Sequence, residues 1–187
     1  MKVAKMANNM RIETERLCLR SWRRSDVERY DQACNTPAVT RWLGGVQTRR
    51  ELKGDVAYFT EAEAAEGFTF WVVERIKDSA FLGFCGLLRI TDADCPAYGE
   101  LEIGWRIRED AWRRGYAFEA ARAVLDYAFV QPGIKMVVSR AAVGNEPSRG
   151  LMRKLKMRND PTFDYLPENE ENALVTYLIK KTVAEKR

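Results

Sequence analysis

Trp105-Arg106-Ile107-Arg108-Glu109-Asp110-Ala111-Trp112-Arg113-Arg114-Gly115-Tyr116-Ala117 reads as a strand that runs into a short basic turn and opens directly into a helix. The first turn of a helix leaves backbone N–H groups without partners, and the helix dipole adds positive potential there, so such a turn is an anion site. Gly115 lets the main chain approach a ligand closely, and Arg113 and Arg114 add cationic charge. The geometry suits a pyrophosphate. No Gly-Lys-Ser/Thr follows the glycine, so this is not a Walker loop. A basic turn ahead of a helix is also an ordinary solvated cap, and the order of the surrounding elements has to decide between the two.

Upstream, residues 16–22 alternate as a first strand, and Ser25 and Asp26 offer a cap for a short helix through Tyr30 to Cys34. Thr48 with Glu51 forms a capping box for a second helix that ends near Gly67. Strands follow at 68–76, 81–90 and 98–108. The second of these holds Gly83 and Gly86 in an apolar run, which predicts a central strand closely approached by its neighbours. In the third, Leu101, Ile103, Trp105 and Ile107 share one face, and Glu100, Glu102, Gly104 and Arg106 the other. The turn residues Asp92, Asp94 and Pro96 make these strands an antiparallel meander. Downstream, Ala117, Ala120, Ala121, Val124, Leu125, Ala128 and Phe129 recur at helical spacing. A strand at 135–142, a helix at 146–156 and a final strand at 172–180 complete the chain. Strand, helix, strand in that order implies a parallel pair.

The 187 residues suit one domain, with residues 1–10 as a polar, loose tail and 11–187 as the folded unit. No apolar run approaches membrane-spanning length and no signal-peptide core opens the chain, so a cytoplasmic protein without a membrane partner is expected. There is no histidine, which removes Ser-His-Asp and Cys-His catalysis and disfavours a zinc hydrolase. Cys18, Cys34, Cys85 and Cys95 lack paired spacing, so no metal site and no disulfide frame is expected; Cys18 and Cys85 read as small core residues. The net charge of +4 is carried by basic residues interleaved with acidic ones. That argues against a nucleic-acid surface and at most for an anionic ligand.

Four runs in order carry a family resemblance. They are Glu15-Arg16-Leu17-Cys18-Leu19-Arg20, Leu82-Gly83-Phe84-Cys85-Gly86-Leu87, Glu102-Ile103-Gly104-Trp105 continuing to Trp112-Arg113-Arg114-Gly115-Tyr116-Ala117-Phe118-Glu119-Ala120, and Asn145-Glu146-Pro147-Ser148. From Ile12 to Lys181 the chain resembles the GNAT N-acetyltransferase superfamily, and more narrowly its Rim-type branch, which includes ribosomal-protein alanine acetyltransferases. The resemblance implies an α+β fold with helices layered on both faces of a mixed, mostly antiparallel sheet, splayed between its fourth strand (98–108) and fifth strand (135–142). It implies acetyl-coenzyme A as co-substrate, no metal, and a primary amine as acceptor, either a protein N-terminus or a small molecule. Relatives are monomers or homodimers.

Carried over residue by residue, main-chain groups of Ile103, Trp105, Arg106 and Ile107 face the pantetheine arm, and a bulge at Gly104 would aim an N–H at the thioester oxygen, while a glycine packed against a neighbouring strand is the other reading of that position. Trp112, Arg113, Arg114, Gly115, Tyr116 and Ala117 hold the diphosphate, with Trp112 where relatives often have Gln or Arg. Asn145 matches the residue that holds the pantetheine amides, and Ser148 also lies on that side. Glu102, then Glu100, are the candidate bases for the amine proton; both also suit plain polar places on a half-exposed strand. Relatives protonate the leaving thiolate with a tyrosine where this chain has Met152, which leaves Ser148 or water. Asn145 and Ser148 equally suit plain helix-start chemistry. Lys156-Met157 replaces a common Gly-aromatic or Gly-Met pair, and lysine disfavours a left-handed cap.

The acceptor groove would be built by Thr36–Gly67 and Arg158–Asn172, the latter acidic at Asp160, Asp164, Glu168, Glu170 and Glu171. Tyr30, Trp42, Tyr58, Phe59, Trp71 and Tyr98 suit core or groove lining. Two further function classes stand beside the enzyme. One is a non-catalytic acyl-coenzyme A-binding module. The other is a nucleic-acid binder using residues 112–114, whose affinity would fall steeply with salt.

Overall fold

A computed structural model describes residues 2–6, 9–166 and 173–182. Among them one mixed sheet of nine strands runs in the order β1-β2-β3-β4-β5-β6-β7-β9-β8. The strands are β1 (Lys2–Met6), β2 (Asn9–Glu13), β3 (Leu17–Arg20), β4 (Phe70–Arg75), β5 (Ala80–Arg89), β6 (Leu101–Ile107), β7 (Met136–Ala142), β8 (Arg158–Asn159) and β9 (Leu174–Lys180). Every neighbouring pair is antiparallel except β6 and β7. The helices are α1 (Asp26–Cys34), α2 (Pro37–Thr40), α3 (Arg49–Glu66), α4 (Tyr116–Val130) and α5 (Glu146–Lys154).

The alternation of the strands sorts their side chains onto two helix layers. Trp71, Val73, Leu82, Leu101, Ile103 and Ile107 pack with Ala120, Val124 and Ala128 of α4 and Met152 of α5. On the opposite face, Val72, Phe81 and Phe84 pack with Tyr30, Leu52, Val56 and Phe59 of α1 and α3. The capping box of Thr48 and Glu51 forms as expected, and Gly67 closes the same helix in the left-handed region. Ser25 makes no side-chain cap bond. The buried Asp26 carboxylate accepts the Arg23 N–H instead, at 2.8 Å.

The expected loose tail at residues 1–10 is not what the structure shows. Lys2–Met6 and Asn9–Glu13 form a hairpin, and β2 continues into pairing with β3. Met10 and Ile12 are buried in the main core, and those two apolar anchors are what draw the segment into the sheet.

Gly83 and Gly86 meet the close approach that their sequence implies. A Cβ on Gly83 would stand 1.9 Å from the Arg106 carbonyl oxygen, and one on Gly86 1.9 Å from that of Thr69. The sheet therefore closes over main chain at both points, and no side chain fits.

Lys156 does adopt the left-handed conformation that lysine disfavours, with φ of 66°. The Met157 N–H donates to the Met152 carbonyl at 3.0 Å, which closes α5 in a Schellman turn. Lys156→Gly is accordingly expected to stabilise the protein by about 1 kcal/mol. A thermal midpoint raised by about 2–4 °C is the check.

Candidate functional site

β6 touches β7 over only two residue pairs, Leu101 with Val137 and Glu102 with Val138. Beyond Glu102 the strands part, and from Ser139 to Ala142 β7 pairs only with β9. Along β6 the hydrogen-bonded partners alternate. Arg108 N–H donates to Leu82 and Ile90 N–H to Glu100, so the even-numbered residues turn their main chain toward β5 and the odd ones toward the gap. The outward groups of Trp105 meet no backbone partner among the described residues.

This geometry corrects three sequence expectations. Arg106 spends its main chain on β5 and does not offer it to the gap. The Ile107 carbonyl accepts the Trp112 indole N–H at 2.6 Å, so Trp112 ties down the end of β6. The register of β5 with β6 runs unbroken through Gly104, so there is no bulge. Gly104 instead makes room for the Phe70 ring, which lies 2.7 Å from where its Cβ would stand.

The turn after β6 is a short 3-10 segment, Glu109–Ala111, and α4 begins at Tyr116. Arg113 (φ 58°) and Gly115 (φ 83°) both take left-handed backbone, which curls the chain into a concave cradle. None of the N–H groups from Arg113 to Phe118 donates to an acceptor among the described residues. Arg113 and Arg114 are exposed and form no salt bridge among those residues. The cradle is braced from the turn between β2 and β3. Arg16 donates to the Arg114 carbonyl at 3.0 Å and to Glu119 at 2.7 Å, while Thr14 donates to Glu119 at 2.6 Å. The sequence signals that brace only as the run from Glu15 to Arg20.

Asn145 caps α5 by accepting the Ser148 N–H at 3.3 Å. Its amide nitrogen and the Ser148 hydroxyl make no hydrogen bond among the described residues. Met152 is wholly buried in the core. Glu102 binds Arg140 of β7 through both oxygens, at 2.7 and 3.2 Å, so an ion pair clasps the point where the two strands part. Glu100 is half-buried just before β6, with no side-chain hydrogen bond among the described residues.

The segment 41–47 crosses toward the start of α5. The Trp42 ring lies 2.6 Å from where a Cβ on Gly144 would stand, and Arg41 lies over the same ring at 5.0 Å. Of the other aromatics, Tyr30, Phe59 and Trp71 are core, while Tyr58 and Tyr98 are exposed. The acidic segment expected to face an acceptor is partly accounted for otherwise. Asp160 accepts from Thr162 and Asp164 from the Thr176 N–H, and Glu168, Glu170 and Glu171 lie outside the described residues. All four cysteines are buried and free, and the described residues include no cluster of three or more His, Cys, Asp or Glu that could hold a metal ion. No helix among them is long and apolar enough to cross a membrane.

A sheet splayed beside a helix that presents unpartnered N–H groups is the architecture of the acyl-coenzyme A acyltransferases. The acetyltransferase (GNAT) domain model matches residues 16–158, and the chain belongs to that family. It is 28% identical over 154 residues to protein YkkB of Bacillus subtilis (strain 168), covering 82% of this chain and 88% of that one. A crystal structure of an acetyltransferase from Agrobacterium tumefaciens str. C58 superposes with a TM-score of 0.76 at 24% identity, over 90% of this chain and 93% of the other. RimL, a ribosomal L7/L12 alpha-N-protein acetyltransferase solved with coenzyme A, superposes with a TM-score of 0.74 at 15% identity, over 91% and 97%.

Proposed function

We propose that this GNAT protein transfers the acetyl group of acetyl-coenzyme A to a primary amine, either a protein N-terminal α-amine or a small-molecule amine. The observation that carries the reading is the run of N–H groups from Arg113 to Phe118, which have no partner among the described residues and begin at the two exposed arginines Arg113 and Arg114, beside a split between strands. A diphosphate is the ligand such a run fits. Acetyl-coenzyme A supplies an acetyl group activated as a thioester, open to direct attack by an amine in a ternary complex. The Rim-type branch is the subdivision favoured by the motif runs. A cytoplasmic monomer or homodimer, acting without nucleic acid or membrane, completes the proposal.

The residues divide the work as follows. Arg113, Arg114 and the N–H groups through Ala117 and Phe118 hold the diphosphate. The outward main chain of Trp105, with Ile103 beside it, faces the pantetheine arm across the split, and the Trp105 N–H is the donor available to a carbonyl oxygen. The Asn145 amide and the Ser148 hydroxyl stand on the opposite lip at the start of α5. Ser148 is the hydroxyl offered for proton delivery to a thiolate.

A protonated amine must lose its proton before it attacks. Glu102 and Glu100 share the acceptor face of β6. Glu102 is committed to Arg140, which leaves Glu100 the freer carboxylate. Met152, buried where relatives carry a tyrosine, favours a second reading in which the protein holds acyl-coenzyme A without turnover.

A thiol-release assay with acetyl-coenzyme A and a mixed panel of amines separates the two. Amine-dependent release is the expected result. Tight coenzyme A binding without release assigns the binding module instead.

A further inference from the structure

Two arginines that the fold takes onto its sheet meet carboxylates: Arg20 pairs with Asp26 and Glu74, and Arg140 with Glu102. Among the described residues Arg106 does not. There its half-buried guanidinium uses only Nη1, which donates to the Tyr30 hydroxyl and, at 3.2 Å, to the Gln47 side-chain oxygen. The group lies over the Phe84 ring at 5.3 Å and the Tyr30 ring at 5.6 Å. Its Nε is buried without a hydrogen-bond partner among the described residues.

Neither neighbour supplies a negative charge. Burial pushes the Tyr30 phenol well above its ordinary range, against the opposing pull of Arg106, so Tyr30 stays neutral. Asp55 stands one step removed, accepting from the Gln47 amide at 3.0 Å. A guanidinium drawn from water without a counter-ion is costly to the fold, and its planar fork of donors matches a pair of anionic oxygens.

The position gives that charge a use. Arg106 projects from the same face of β6 as Glu102 and Gly104, beside the split and against the 41–47 segment through Gln47. We infer that Arg106 is the receptor for an anionic oxygen group on the acceptor, so that the amine acetylated here carries a carboxylate or phosphate close to its nitrogen. Cationic polyamines are thereby disfavoured. The inference rests on the acetyl-transfer reading and narrows it to a class of acceptor.

The test compares kcat/KM across matched acceptors: amino acids, the corresponding aminophosphonates, their neutral carboxamides, and diamines of similar length. The wild-type protein is expected to prefer an anionic acceptor over its carboxamide by about 10-fold or more, and the carboxylate-to-phosphonate ratio identifies which oxyanion fits. R106Q is expected to bring the anion-to-amide ratio within about two-fold of unity, with R106K retaining part of it. Equal use of amides or diamines by the wild type overturns the inference, as does an R106Q defect of the same size for every acceptor.

If no amine releases thiol, the acetyl-transfer reading fails on its own. The anion receptor is then judged by titrating an amino acid and an aminophosphonate into protein saturated with coenzyme A. Binding that R106Q abolishes sustains the receptor, and absence of binding by both refutes it.

Discussion

Asp26→Ala is expected to lower the unfolding free energy by about 3–5 kcal/mol, a large part of what holds an ordinary domain folded. Asp26 is wholly buried at the first position of α1. It accepts from Arg20 at 2.7 and 2.9 Å and from the Arg23 N–H at 2.8 Å. Arg20, itself 4% exposed, reaches onward to Glu74 of β4 at 2.7 Å. Removing Asp26 leaves the buried Arg20 with Glu74 alone and the Arg23 N–H without its acceptor. Chemical denaturation should give a lowered midpoint with an unchanged slope. Replacing Arg20 and Asp26 together by apolar residues of similar volume should recover only part of the loss, since Glu74 then keeps Arg29 alone.

The same network sets an acid limit. Hydrogen bonds from Arg20 first, then Arg29, hold the Glu74 carboxyl at about 2, well below its ordinary 4.5. A carboxyl depressed on folding adds stability above its unfolded value and loses it as pH falls toward the folded one. The loss is therefore expected between about pH 5 and pH 2, and amounts to about 3 kcal/mol. About 2 kcal/mol of it falls between pH 6 and pH 3, and unfolding curves of the parent and of Glu74→Gln at those two values measure it.

The double variant R113E/R114E is expected to weaken coenzyme A binding by at least about 100-fold, given about 1.5–3 kcal/mol for each charge-assisted hydrogen bond removed. Both side chains are exposed and unpaired among the described residues, so the fold should survive, and calorimetry against an unchanged melting curve reads the effect. The loss should shrink at high salt, because exposed charges are screened. Affinity equal to that of the parent protein would mean the cradle does not hold the diphosphate.

Regular elements were legible because each repeats a local rule. The Thr48–Glu51 box, the small-residue stripe of α4 and the alternation of β6 each declare themselves within one turn or strand. The cap at Lys156 was not legible, since lysine disfavours the left-handed backbone that the residue takes with φ of 66°. What escaped depends on partners far off in the chain. Lys2–Met6 is polar enough to pass for a tail, yet it is paired through a hairpin whose anchors, Met10 and Ile12, find their core neighbours only in the folded sheet. Gly104 looks like a bulge until Phe70, 34 positions away by sequence number, fills its space. Arg16 and Glu119 are similarly remote, and the brace between them follows from neither local pattern. Arg106 sits where strand alternation puts it, but nothing in its neighbours reveals that its guanidinium lacks a carboxylate.

A sheet stitched at just two residue pairs behaves as a seam between two stiff panels. Its lips can widen without unfastening any other ladder, because each panel keeps its own antiparallel bonds. On the proposed acetyl-transfer reading, bulk in the acceptor would be limited less by the sheet than by the indole that bridges from residue 42 to residue 144. Tolerance for larger amines should follow changes to that bridge.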